Sequence, residues 1–313
     1  MNLFRRLFGK KSDDDTPVPP SPGRVSTTEA PSMSDAPPEG APIHTRRLSP
    51  PKDFTTSNTR VRFGINSNIG GRANNEDSAL AMMLNVEIPG TPPPLGIFMV
   101  ADGMGGHQDG EQASSITART VAQHVIREVA MPQLEDFKPN VDNKTIPEVL
   151  TEAMAAANRA VQEQVPGGGT TATCAVIRGD LAYIAHVGDS RAYLAAEGNL
   201  ELITRDHLLV RRLQELGQLT AAEADTHPQR NVLYRAVGQS EALEIDAATR
   251  RLPPSARILL CSDGLWGVIG DGKIASILGE CADPQEACDR LIAAANDSGG
   301  TDNITAVIVQ MPE

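Results

Sequence analysis

The chain has 313 residues, 40% hydrophobic but only 3% aromatic, and a formal net charge of −12. That length supports one large domain or two modest ones around an aliphatic core; the acidity argues against nucleic acid as the main partner, and no apolar run is long enough to cross a bilayer. The four cysteines, Cys174, Cys261, Cys281 and Cys288, form no CxxC pair, and with no signal peptide in view the expected compartment is a reducing cytoplasm.

Residues 1–57 differ from the rest. Ten prolines fall between Pro17 and Pro51, among Ser, Thr, Asp and Glu. Such a segment cannot bury enough apolar surface to offset its chain entropy, so a disordered tail is expected there and a folded domain over residues 58–313. The tail holds 8 Lys/Arg and 7 Asp/Glu, a net +1, which leaves −13 (−12 minus +1) for the remainder. Its first eleven residues, MNLFRRLFGKK, set Phe4 and Phe8 among Arg5, Arg6, Lys10 and Lys11. Two readings stand side by side: a short anchor for an anionic membrane surface or a partner groove, or a frayed chain start, since one or two helical turns are marginal alone.

From Val61 the pattern is that of a folded chain. Short runs rich in Val, Ile and Leu, bounded by Gly, Asp, Asn or Pro, predict strands at 61–65, 79–84, 96–101, 170–177, 181–187, 191–195, 257–261 and 304–309. Helices are predicted at 111–130, 147–164, 208–216 and 284–295, the last with Asp283 as N-cap and Pro284 in first position. Thr220 with Glu223 is a capping-box signature for a further short helix. The short links from Ile177 to Leu181 and from Val187 to Arg191 point to antiparallel hairpins rather than βαβ units. Residues 267–274, GVIGDGKI, fall one residue short of a P-loop and follow Trp266 rather than a strand end, so they are set aside.

Acidic residues recur beside these strands. Glu76 and Asp77 precede one, Asp102-Gly103 ends another, Asp263-Gly264 ends a third, and Asp302 precedes the last. Each alone reads equally as turn chemistry or a helix cap. Together, at the ends of apolar strands, they would repel one another unless a cation neutralised them, and an all-oxygen set suits Mg²⁺ or Mn²⁺. The scattered histidines do not suggest zinc. Gly103 has no Cβ to keep its carbonyl from a metal. Arg72, five residues before Asp77, can fork onto a phosphate or be an ordinary surface arginine. Two cations beside a guanidinium suit phosphoester hydrolysis, with a metal-bridging water as nucleophile. No cysteine is followed by Arg at the spacing of a cysteine-nucleophile phosphatase; Cys174 and Cys261 read as core, and His186 as a packed residue rather than a catalyst.

The segments GRANNEDS, VADGMGGHQDGEQAS, GTTATCAVI, YIAHVGDSRAYL, LITRDH, HPQRNVLYRAVG, LLCSDGLWGVI and GGTDNITAVIV, in that order and spacing, resemble the protein phosphatase 2C family of metal-dependent Ser/Thr phosphatases, in its bacterial form. The resemblance covers nearly all of residues 60–310. It implies an α+β fold, a four-layer α-β-β-α sandwich of two stacked antiparallel sheets with outer helices and a metal site at one end. Carried over by position, it implies that Asp102 bridges two Mn²⁺ or Mg²⁺ ions, that Gly103 contributes its carbonyl, and that Asp77, Asp263 and Asp302 complete the set. Glu76 would act through water, with Asn303 beside the site. Arg72 would hold the substrate phosphate. Asp189 would share a weakly bound third ion with Asp263.

Two departures stand out. Ser67 and Asn68 occupy the stretch where the family often has Asp, and Met104 stands where animal members carry His, which leaves the leaving-group acid unassigned, His107 being a weak candidate. Residues 205–238 match the family's variable flap. The expected partners are phosphorylated proteins and a cognate Ser/Thr kinase, the expected state a monomer. An interaction module without catalysis would be signalled by a lost metal aspartate, and none is lost. A metal nuclease is opposed by the acidic core.

Overall fold

The structure, a computed structural model, describes residues 60–85, 93–105, 108–134 and 144–313. The tail, its MNLFRRLFGKK segment and His107 lie outside the described residues.

In β3 (Leu95–Met104), side chains alternate between the two faces of its sheet. Ile97 and Met99 pack with Val121 and Val125 of α1 (Gln108–Val125) and with Leu150 and Met154 of α2 (Ile146–Gln164). Phe98 and Val100 pack against Ile258 and Leu260 of β10 (Arg257–Cys261) and Val307 and Val309 of β11 (Ile304–Gln310). A strand covered on both faces has no place for polar alternation, which is why these segments read as unbroken apolar runs.

One sheet has the order β2 (Asp77–Leu84), β3, β5 (Ala172–Arg178), β6 (Leu181–Val187), β9 (Asp246–Arg251), with the short β4 (Gly169–Thr170) pairing β3. The other has the order β1 (Arg62–Asn68), β11, β10, β7 (Arg191–Ala196), β8 (Asn199–Leu202). Every ladder is antiparallel. α1 and α2 cover the first sheet; α5 (Asp263–Glu280) and α6 (Pro284–Asp297) cover the second, with Leu265, Ile274, Ile277 and Leu291 on Leu259 and Ile308. Helices, sheet, sheet and helices thus enclose three apolar layers, the expected α-β-β-α sandwich.

The caps are where the sequence placed them. Asp283 accepts from the N–H groups of Gln285 and Glu286 at 2.9 and 3.1 Å, and Thr220 with Glu223 closes a capping box on α4 (Ala221–Asp225). Residues 205–238 carry α3 (Leu209–Glu215) and α4 on a small core of their own, Leu208, Val210 and Ala224 beside Leu219, Leu233 and Trp266.

Four expectations are corrected. The link from Val187 to Arg191 is not a hairpin: β6 and β7 lie in different sheets, and Gly188 to Ser190 carry the chain across the sandwich. Gly188 makes the crossing at φ +109, with Thr171 where a Cβ would be. β8 and β9 were missed; β9, DAATRR, is a polar edge strand that buries alternate residues only partly. α5 was missed, and residues 267–274 lie within it, one turn past the end of β10, so their N–H groups serve a helix, kinked at Gly270, rather than a phosphate. The helix predicted to Ala130 leaves α-geometry at Val125 and ends in a π-turn, Ile126–Ala130.

Candidate metal centre

All the acidic positions fall at one end of the sandwich. Asp77 opens β2 and stands opposite Asp102, near the end of β3, in the strand register. Cys261 ends β10 opposite Ala306 of β11 and Arg191 of β7, which sets Asp263, Asp302 and Asp189 at that same end. Antiparallel pairing alternates strand starts and strand ends along one rim, so acidic residues before some strands and after others gather there.

The backbone of Asp102 is fully engaged. Its N–H donates to Thr171 Oγ1 at 2.9 Å, and its carbonyl accepts from Thr171 N and Thr170 Oγ1, both at 2.8 Å. Asp77 Oδ2 accepts from Ser262 Oγ at 2.8 Å and Thr305 Oγ1 at 2.6 Å. Asp77 Oδ1 and Asp263 Oδ1 are buried without any hydrogen-bond partner. Burial, reinforced by Asp77, Asp263, Asp189 and Asp302, holds the Asp102 carboxyl well above the usual carboxylate range. Burial likewise raises Asp77 to about 6 against its two hydroxyl donors, and raises Asp189 to about 8 with help from Asp263. Asp263 is raised by burial and by Asp302. Among the described residues, no group of three or more His, Cys, Asp or Glu side chains is already gathered as it would be around a metal ion. The donors nonetheless fit a hard divalent cation: oxygen ligands, buried, mutually repelling, two of them with an unclaimed lone-pair face.

Arg72 and Asp302 are paired at 2.6 Å at the exposed mouth, where Asp302 raises the guanidinium's pKa. The other Asp302 oxygen accepts from Asn303 N–H at 2.8 Å. Asn303 is the bracket of the Arg72 loop: its Nδ2 donates to the carbonyls of Ile69 and Asn74 at 2.9 Å each, and its Oδ1 accepts from Glu76 N at 2.8 Å. The Glu76 carboxylate lies against Gly110 of α1, where a Cβ would overlap Glu76 Oε2, and a Cβ on Gly103 would overlap the carbonyls of Gly110 and Glu76. Asp189, 7% exposed, sits in the crossing between the sheets, where the charge of Asp263 adds to the effect of burial.

Ser67 has a use of its own. Asn75 Nδ2 donates to Ser67 Oγ at 2.9 Å, and Ser67 lies 2.8 Å from Thr305 Oγ1, which reaches Asp77. Asn68 Oδ1 takes the Gly70 N–H at 2.9 Å. Sequence reasoning gave Thr170, Thr171, Ser262 and Thr305 no role; their nearness to the acidic motifs was the available signal. His186 is buried between Thr173 Oγ1 and the Arg205 carbonyl, with its pKa lowered to about 4 by burial. All four cysteines are buried and unbridged. Met104 borders a cleft of about 740 Å³ lined by Val232, Tyr234, Arg235 and Gln239. No helix among the described residues is long and apolar enough to cross a membrane.

The family model described as Protein phosphatase 2C matches residues 61–224. A serine/threonine phosphatase, Stp, of Listeria innocua is 35% identical over 214 residues, 68% of this chain and 84% of that protein. The serine/threonine phosphatase of Streptococcus agalactiae superposes with a TM-score of 0.69 at 30% identity, covering 80% of this chain and 100% of that one. The catalytic domain of the serine/threonine phosphatase PstP, solved in complex with two manganese ions, gives a TM-score of 0.64 at 31% identity, covering 80% of this chain and 97% of that one.

Proposed function

Because this chain belongs to the protein phosphatase 2C family, we propose a division of labour among its residues for the hydrolysis of phosphoserine and phosphothreonine esters on proteins. It is a metal-dependent Ser/Thr protein phosphatase that uses divalent cations, Mn²⁺ or Mg²⁺. When bound, two such cations polarise phosphoryl oxygens and lower the pKa of water so that it can attack phosphorus at neutral pH.

Asp102 and Asp77 would be the central ligands of the cations, joined by the Gly103 carbonyl, Asp263 and Asp302, with Glu76 contributing through water. The observation that carries this reading is the buried Asp77–Asp102 register pair, with Asp77 Oδ1 and Asp263 Oδ1 left without partners. Thr170 and Thr171 hold the Asp102 backbone, and Ser262 with Thr305 orient Asp77, so the carboxylates are aimed before loading. Asp302, now paired with Arg72, would serve as a ligand to a bound cation, and Arg72, freed of that pair, would fork onto two phosphoryl oxygens. Asn303 keeps the loop of Arg72 in place during that exchange. Met104 has no proton to give, so no side chain among the described residues is assigned to protonate the leaving alkoxide.

The enzyme opposes a Ser/Thr kinase in cytoplasmic signalling and acts as a monomer; residues 1–57 are a tail that serves location or partner contact, and residues 58–313 carry the chemistry. Support for the tail lies in its composition alone. The test is dephosphorylation of phosphoserine, phosphothreonine and phosphotyrosine peptides by the purified chain. Activity on the first two that disappears in EDTA and returns with Mn²⁺ or Mg²⁺ is expected. Full activity in EDTA, or recovery with Zn²⁺ alone, overturns the reading.

A further inference from the structure

The crossing between the sheets is held at three consecutive residues. His207 closes on both sides of Gly188: its ring Nδ1 accepts the Gly188 N–H at 3.0 Å, and its backbone N–H donates to the Gly188 carbonyl at 2.8 Å. Trp266 Nε1 donates to the Asp189 carbonyl at 3.0 Å. Ser190 Oγ lies 2.7 Å from Thr171 Oγ1, and the Ser190 carbonyl accepts from Thr173 Oγ1 at 3.0 Å. The backbone is therefore set before, at and after Asp189, whose carboxyl feels the Asp263 charge.

Two of these contacts depend on a histidine tautomer: the Thr173 hydroxyl faces His186 Nδ1 at 2.9 Å as well as the Ser190 carbonyl, and the Gly188 N–H needs an acceptor at Nδ1 of His207. To accept at Nδ1, His207 must carry its proton on Nε2. Nε2 lies 3.3 Å from Asp246 Oδ2, and a carboxylate opposite that nitrogen keeps the proton there. Arg235 Nη1, 3.3 Å from the same nitrogen, has its acceptor in Asp246 Oδ1 at 2.9 Å. The ring is buried, with His186 at 4.9 Å and Tyr234 at 5.5 Å between centroids, so it cannot swing away. The flap, with Tyr234 N–H on the His207 carbonyl at 2.9 Å, thus meets the Gly188 crossing at His207, and meets Thr170 beside Asp102 through the Val237 backbone.

We propose that His207 is a positioning residue: its imidazole fixes the Val187–Gly188 peptide, immediately before Asp189, so that the Asp189 carboxylate is presented at the Asp263 side of the rim to hold a weakly bound divalent cation. The proposal rests on the reading of Asp189 as a cation ligand, and the experiment separates the two. The full chain is titrated calorimetrically with Mn²⁺, and turnover is measured on a phosphothreonine peptide and on p-nitrophenyl phosphate. His207→Phe keeps a ring but loses both nitrogens; His207→Asn keeps an oxygen near the place of Nδ1; Asp189→Asn is the control.

Asp189→Asn should abolish the weakest Mn²⁺ binding event. His207→Phe should weaken that event about tenfold, the low end for a group that orients a ligand, leave the tighter events unchanged, and slow the peptide more than p-nitrophenyl phosphate. His207→Asn should restore most of both losses. Wild-type Mn²⁺ binding in His207→Phe, with the weak event lost in Asp189→Asn, overturns the role of His207 alone. Wild-type binding in Asp189→Asn overturns the cation reading beneath it, and the proposal with it. Equal losses in the Phe and Asn variants also overturn the proposal, because packing rather than the acceptor would then matter. If His207→Phe fails to fold in EDTA, Asp246→Asn decides: a weakened last Mn²⁺ event supports the proposal, and an unchanged one overturns it.

Discussion

Asp77→Asn should make the metal-free protein more stable. The Asp77 carboxyl is buried, and its pKa rises from 3.8 to about 6 because burial outweighs its hydrogen bonds to Thr305 and Ser262. At about 1.36 kcal/mol per unit of pH, that rise sets about 3 kcal/mol against the ionised form in the folded state. Asparagine removes the charge but takes the Thr305 and Ser262 hydroxyls as a neutral acceptor, which returns about 1 kcal/mol of the gain. The net is a stabilisation of about 2 kcal/mol at pH 8 in EDTA. The sign follows from linkage: a carboxyl whose folded pKa lies above its unfolded value contributes its stability below pH 3.8 and loses it as pH rises through about 6. The advantage of the variant should therefore fade at pH 4, where the wild-type carboxyl is largely protonated. Urea unfolding in EDTA at the two pH values reads both quantities. Saturating Mn²⁺ should reverse the order, since only the wild type gains the full binding energy. A variant less stable than wild type at pH 8 in EDTA, or one whose gain is the same at both pH values, would refute the account of a buried, cation-dependent carboxylate.

Arg72→Ala should cost about 1.5–3 kcal/mol in kcat/KM, the worth of a hydrogen bond to a charged group, mainly through KM; an unchanged kcat/KM in steady-state assays returns Arg72 to the surface. Asn303→Ala leaves the Glu76 N–H and two carbonyls unpaired, so a loss of about 1–3 kcal/mol is expected in urea unfolding, and Asn303→Asp should be no better, since a carboxylate oxygen would then face the Ile69 and Asn74 carbonyls; wild-type stability in either variant would refute the bracket. His186, with its pKa lowered to about 4, is neutral when folded and charges when unfolded, so its contribution is lost as pH falls from 6.5 to about 4; His186→Asn should flatten that part of the stability–pH curve, and a slope identical to wild type would count against the buried neutral imidazole. Deletion of residues 1–57 should leave peptide dephosphorylation and Tm within error of the full chain; a truncated protein that does not fold would place the domain boundary earlier.

Local patterns in the chain already specified much of this enzyme. Apolar runs ending in Asp-Gly marked β3 and β10, and Asp283-Pro284 and Thr220-Glu223 marked two helix starts, because caps and strand ends depend on residues within a few positions of one another. The acidic residues were equally legible, since carboxylates at the ends of buried strands are too costly to be incidental. What only the tertiary structure decided is which strand lies beside which. The link from Val187 to Arg191 has the length and glycine of a hairpin, yet it crosses between sheets, because the choice of sheet depends on packing of distant faces that no short window contains. The same is true of the polar edge strand β9, held by pairing with β6 rather than by its own composition, and of α5, whose residues resemble a glycine-rich loop until Leu265, Ile274 and Ile277 find the second sheet. Within the site, Asp77 and Asp102 could be named from the chain and Asn303 placed beside them, but the roles of Ser262, Thr305 and His207 in aiming the acidic rim, and of Asn303 in bracketing the Arg72 loop, could not. Their roles arise from hydrogen bonds that span as many as 234 residues, and they exist only once both sheets have closed on one rim.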